Sequence, residues 1–234
     1  MNTYRKAGIT YGVLFILSFL SYGIGSSLVD ALTKDPQNLA NVGTNQSSMM
    51  IGFFLMALVH SVVTVASAIV LLPILKKFNQ TLSNFYISGA IMENVLLTVG
   101  AIAVYLIMPL SIQFTEMGAS ASSYFTSLAQ LFYKGNFFAY QVGMAIWGIS
   151  GLALTYILIQ SRLVPRFLAI WGFVGYVLHA TGAVMELFGL PYSTYFIIPA
   201  GLFEITLSLW LIIKGFNQWI CNKNFLSAQQ SFGR

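Results

Sequence analysis

Six apolar stretches, each long enough to cross a lipid bilayer, occupy 7–29, 48–72, 83–108, 136–160, 167–189 and 193–215 of this 234-residue chain. The hydrocarbon layer is ~30 Å thick and takes about 20 apolar residues per helix, so these runs leave room for little but short loops and a polar tail. Only 7% of the residues are charged, against about a quarter in a soluble domain. The expected fold is an all-α membrane protein, a six-transmembrane-helix bundle. The membrane domain would cover 1–216 and a short polar tail 217–234.

The distribution of charge sets the orientation. Arg5, Lys6, Lys76, Lys77, Arg162, Arg166, Lys214, Lys223 and Arg234 fall at alternate ends of the spans, and Lys34 and Lys134 are left for the opposite side. The positive-inside rule then puts both termini in the cytoplasm, which an even number of spans requires. The net charge of +5 is a topology signal, and no nucleic-acid partner is expected from it. A basic start before an apolar run can also be a signal peptide, cleaved near Gly25–Ser27. The run from Ala7 to Val29 exceeds the usual 7–15-residue signal core, and its loss would leave five spans. Cys221 is the one cysteine, so no disulfide framework or thiol-rich metal motif is available.

Breakers mark the connections. Residues 30–48, with Pro36 and Gly43, read as an external loop that could cap the bundle. Span two is expected to stop at Pro73 and span three at Pro109. An unbroken helix from Tyr124 to Gln160 would be about 55 Å long, more than the membrane accommodates upright. Lys134-Gly135-Asn136 is therefore read as a break, with Tyr124–Tyr133 an interfacial helix presenting Phe125, Leu128 and Phe132, and a long tilted helix as the alternative. The turn from Ser161 to Arg166 suits a helix start at Pro165, and Gly189-Leu190-Pro191 makes the outer turn. The near-identical hexapeptides at Ser88–Glu93 and Thr181–Glu186 lie at different depths, which favours coincidence of composition over a transporter-type repeat.

Ionisable residues inside the spans are the candidate site. A carboxylate near the middle of a membrane helix costs about 2.5–3.5 kcal/mol on insertion scales, and Glu204 stands there in span six. Helix periodicity puts Ala57, His60, Thr64 and Ser67 on one stripe. Gly172, Gly175, His179, Gly182 and Glu186 share a second, Ile197, Gly201, Glu204 and Ser208 a third, and Gly89, Glu93, Leu97 and Gly100 a fourth. Small residues beside each ionisable group point these stripes inward. His60, His179, Glu204 and Glu93 are thus candidates to line a polar pocket near the midplane that binds a ligand or exchanges protons. On the bland reading each group hydrogen-bonds a neighbouring helix and only fixes packing. Glu186 and Glu116 are expected to be solvated. With no His-Glu-x-x-His and no Glu-x-x-His, ligands to a metal would come singly from separate helices, so no metal site and no cofactor is assigned. Gly-x-Ser-x-Gly is absent too, and Gly148-Ile149-Ser150-Gly151 reads as a small-residue helix face.

Two segments carry a family resemblance: Ser161-Arg-Leu-Val-Pro-Arg-Phe-Leu-Ala-Ile-Trp-Gly172, and Pro199-Ala-Gly-Leu-Phe-Glu-Ile-Thr-Leu-Ser-Leu-Trp-Leu-Ile-Ile-Lys-Gly-Phe-Asn217. With Tyr4-Arg-Lys before a Gly-rich first span, and Met92-Glu-Asn-Val-Leu-Leu97, they make the chain resemble the bacterial integral membrane proteins called domain of unknown function 4386. The resemblance implies a six-helix protein of the bacterial inner membrane and supplies no activity, substrate or cofactor. It also implies that an arginine often stands three residues before the span-three glutamate. Here that position is Ala90, so Glu93 must find another partner or stay protonated.

Three classes of function remain open. The first choice is a non-enzymatic membrane partner or sensor, and the alternative is a proton-linked small-molecule carrier or channel using the Glu/His pocket. An intramembrane enzyme would need a catalytic set that the sequence does not display. Beyond the lipid bilayer, the expected partners are a small-molecule ligand, another membrane protein or a second copy of the chain.

Overall fold

The computed structural model describes residues 3–35, 38–117 and 122–217. It is all-α, with no strand among the described residues, and it contains six helices long and apolar enough to cross a membrane. The polar tail and Cys221 lie outside the described residues.

Helix α1 runs Thr3–Thr33, α2 Leu39–Thr44 and α3 Gln46–Phe53. A π-helical turn, Phe54–Val59, then leads into α4, His60–Leu75. After these come α5 (Gln80–Tyr105), α6 (Ile107–Met117), α7 (Ser122–Ser161), α8 (Arg166–Leu187) and α9 (Ser193–Ile213). The chain divides into two compact units, one of residues 1–16, 64–92 and 144–234, the other of 17–63 and 93–143.

The first unit is built round a core that includes Tyr11, Phe15, Tyr86, Trp147, Leu154, Tyr176, Phe203 and Leu207, contributed by α1, α5, α7, α8 and α9. Glycine allows these helices to approach. A Cβ on Gly175 would meet the Ala200 backbone at 3.0 Å, so α8 and α9 touch main chain to main chain there. The end of α9 is closed from α1: the Arg5 guanidinium donates to the carbonyls of Leu211 (2.9 Å), Ile212 (2.7 Å) and Ile213 (3.0 Å). These are among the last four carbonyls of the helix, which have no intrahelical donor, and a cation suits the negative end of the helix dipole. Arg5→Gln is expected to lower stability by about 1–3 kcal/mol, read as a fall in the thermal midpoint of the detergent-solubilised protein. An unchanged midpoint would show that water serves those carbonyls equally well.

The second unit has its own core, including Val29, Val42, Met49, Met56, Val104, Ile107 and Phe125. Here α1 and α3 cross at Gly25 and Gly52. A Cβ on Gly25 would sit 2.8 Å from the Gly52 carbonyl, and one on Gly52 2.9 Å from the Gly25 carbonyl. The segment after span one is not a plain loop. It winds into α2, which Ser111 of α6 holds by donating to the Leu39 carbonyl (2.5 Å) and accepting from the Gly43 N–H (2.7 Å).

Three boundaries differ from the sequence expectation. Helix α4 continues through Pro73 to Leu75. The chain changes helix at Leu106 rather than at Pro109: Pro109 has no N–H to give the Tyr105 carbonyl, and α6 takes it up in its first turn, where no such N–H is needed. The break at Lys134-Gly135-Asn136 does not form, and α7 is one 40-residue helix. Glycine costs a helix interior about 1 kcal/mol, and packing outweighs it. Phe125 and Ala129 of the supposed interfacial segment are buried core, and a Cβ on Gly100 of α5 would sit 3.0 Å from Ala139 of α7.

Candidate functional site

The four ionisable residues singled out above are all buried: His60 is 9% exposed, Glu93 2%, His179 4% and Glu204 5%. The stripes that carry them face inward as expected. Ala57, Thr64 and Ser67 are buried with His60, Gly172, Gly175 and Gly182 with His179, Leu97 with Glu93 and Ser208 with Glu204, while Glu186 is half-buried. The two buried glutamates form two carboxyl centres, Glu204 in the first unit and Glu93 in the second.

In the first unit Glu204 of α9 meets α7 and α8. Its Oε1 accepts a hydrogen bond from the Trp147 indole N–H at 2.7 Å and from the Tyr176 hydroxyl at 2.7 Å. An indole nitrogen can only donate, so Oε1 is an acceptor in either protonation state, and a proton on this carboxyl belongs on Oε2. Aromatic rings surround the pair. Trp147 has Phe15 at 6.0 Å, Tyr86 at 5.9 Å and Tyr176 edge-on at 6.4 Å, and Tyr176 has Phe203 at 5.8 Å. Gly151 makes the seat for Tyr176: a Cβ there would lie 2.6 Å from its ring. Two hydrogen bonds to a charged or shared-proton carboxyl contribute about 1.5–3 kcal/mol each. That is the scale of the cost of placing the group in mid-span.

His179 is in the same unit and takes no part in that network. Both of its ring nitrogens are buried without a hydrogen-bond partner.

In the second unit His60 and Glu93 come together. His60 Nδ1 lies 3.0 Å from the Ser18 carbonyl. A carbonyl only accepts, so Nδ1 carries a proton and Nε2 faces Glu93 Oε1, at 3.8 Å. The other carboxylate oxygen accepts from the Asn94 amide at 2.5 Å. Tyr22 of α1 lies against the imidazole, ring centroids 4.9 Å apart, and Tyr140 of α7 stacks on Tyr22 at 5.8 Å. Gln141 is buried nearby in sequence with its Oε1 unpartnered.

His60 opens α4 directly after the π-helical turn, where its own N–H reaches back five residues to the Leu55 carbonyl. Such turns insert one extra residue into a helix and recur at functional positions. On the flanking turns Ser61 and Thr98 share a hydrogen bond at 3.1 Å.

Periodicity pointed to the four ionisable residues and not to what they touch. Trp147, Tyr176, Tyr22 and Asn94 are the partners it missed. A signal was present for two of them: Tyr176 lies one position from Gly175 on the small-residue stripe, and Asn94 follows Glu93. Glu186 is not simply solvated, since it accepts the Ser193 N–H at 3.1 Å and so closes the start of α9. Glu116 is exposed. Among the described residues no group of three or more His, Cys, Asp or Glu could hold a metal ion.

A family model described as a domain of unknown function, DUF4386, matches residues 7–215. No curated protein and no solved structure matches the chain.

Proposed function

As a member of the DUF4386 family, to which this multi-pass chain belongs, it takes no activity from its relatives, and we propose that it is a non-enzymatic, proton-responsive membrane sensor. The observation that carries this reading is the buried His60–Glu93 pair, 3.8 Å apart, with Nδ1 committed to the Ser18 carbonyl. With Nδ1 protonated, the pair attracts when it holds one further proton, on Glu93 or on Nε2. A second proton leaves imidazolium facing a neutral acid, and loss of the last one sets a carboxylate against a lone pair. The contact between α4 and α5 thus depends on proton occupancy, and the π-helical turn before His60 is the element it would bias.

Glu204 has a different task in this reading. Its two donors lock α7, α8 and α9 and keep the first unit constant. The protein would work in the bacterial inner membrane with both termini in the cytoplasm, as the basic residues at alternate span ends favour, and would pass its signal to a membrane-protein partner or a second copy.

Hydrogen exchange of the full chain in nanodiscs tests the proposal. Protection of the amides from Phe54 to Val63 is expected to change between about pH 5 and pH 8, the range in which histidine ordinarily switches, and to stop changing in Glu93→Gln. Protection that is flat in the wild type, or equally pH-dependent in the variant, would overturn it. The same pair supports a second reading, a proton-linked carrier, because buried ionisable groups also mark ion paths. That reading alone requires proton flux in liposomes that Glu93→Gln abolishes.

A further inference from the structure

A second polar feature lies in the first unit, away from both carboxyl centres in sequence and lining. The turn between α7 and α8 and the end of α9 enclose a recess of about 430 Å³, bordered by Arg162, Arg166, Trp210, Lys214 and Asn217. Three of these residues are cationic, and none of the described residues bordering the recess is acidic. The side chains of Arg162, Arg166 and Lys214 are exposed, and no described carboxylate forms an ion pair with any of them. Residues 218–234 contain no Asp or Glu.

The recess is built rather than incidental. Its two walls are joined by a hydrogen bond from the Asn217 N–H to the Leu163 carbonyl, at 2.9 Å. Two residues of the lining hold left-handed backbone, Gly215 at φ 76° and Arg162 at φ 54°. For glycine this is the ordinary helix stop. For arginine it is a costly conformation that glycine or asparagine would adopt more easily. The volume falls within the range of small-ligand sites.

We propose that this recess binds the phosphate of an anionic phospholipid. Arginine forks match phosphate oxygens two at a time, and lysine adds a point charge. Free phosphate offers the same chemistry, but the surroundings favour a lipid. Phe167 and Ile170 follow Arg166 on α8, Leu209 and Ile213 precede Lys214 on α9, and all four are exposed. Acyl chains below a bound headgroup would cover such residues.

Native mass spectrometry of the full chain, titrated with phosphatidylglycerol or phosphatidylcholine, tests the assignment. Phosphatidylglycerol is expected to stay bound and phosphatidylcholine to be lost. Basic residues at a membrane surface are worth roughly a five-fold change in lipid affinity each, so Arg162→Gln, Arg166→Gln and Lys214→Gln together should weaken phosphatidylglycerol binding on the order of a hundred-fold. Arg166→Gln alone, which keeps the turn, should weaken it roughly five-fold. A matched variant with Lys6, Lys76 and Lys134 changed to Gln removes equal charge elsewhere and should leave binding within about two-fold. Equal loss in the matched variant, or full retention in both recess variants, would overturn the site. Displacement of phosphatidylglycerol by inorganic phosphate at equal concentration would overturn the lipid as its source.

Discussion

Replacing His60 by Leu while Glu93 remains is expected to cost about 3–5 kcal/mol of stability, because removing one partner of a buried pair strands the other. Glu93 would keep the Asn94 amide on Oε2 and lose the group that faces Oε1. Converting both residues, His60→Leu with Glu93→Leu, should recover most of that loss, since a well-packed apolar replacement of a buried pair is often neutral or better. The comparison separates the two explanations for why such a pair exists. If the pair served stability, the double variant would be the least stable of the series. A pair kept for proton response gives a stable double variant that no longer responds to pH. Reversible unfolding of the wild type and the two variants in detergent, with the hydrogen exchange described above, decides between them.

Tyr176→Phe and Trp147→Phe are expected to lower stability by about 1–3 kcal/mol each, the cost of leaving a buried acceptor short of a donor. Trp147→Phe should fall at the upper end, because it also removes ring area packed against Phe15 and Tyr86. Both donors converge on one oxygen, Glu204 Oε1, so the two losses should not add. Glu204→Gln supplies the control. Its amide oxygen can still accept from both donors, and in that background Tyr176→Phe should cost only about 1 kcal/mol, as for a hydrogen bond between neutral groups. If Tyr176→Phe costs the same with Glu and Gln at position 204, the hydroxyl is not bonded to the carboxyl and the lock between α8 and α9 rests on packing alone.

These expectations also show which physical signals a single chain carries. The six spans are legible because the bilayer demands long apolar runs, and every one appears as a helix. The inward stripes are legible because glycine, alanine and serine recur at helical spacing beside His60, Glu93, His179 and Glu204. Helix ends are less so. Gly135 and Pro109 look like breakers taken alone, and packing of Phe125 and Ala129 into the second core carries α7 through the first of them. The π-helical turn at Phe54–Val59 has no glycine or proline to announce it. Partner choice is the least legible feature. Depth along the span places Glu204 and His179 at one level, yet the Glu204 carboxyl is met by the indole of Trp147 and the phenol of Tyr176. Aromatic residues at inward positions ordinarily read as apolar packing, and their one polar atom is easily overlooked.

The central claim is that His60 and Glu93 work as one pair. Infrared difference spectroscopy of the full chain in membranes, stepped between about pH 5 and pH 8, addresses it directly by resolving carboxyl and imidazole bands in the same spectrum. The account predicts a carboxyl band that vanishes in Glu93→Gln, moves in His60→Gln, and changes at the same midpoint as the exchange protection of the turn before His60. A Glu93 band that is constant across this range, or that titrates identically with His60 replaced, would contradict it.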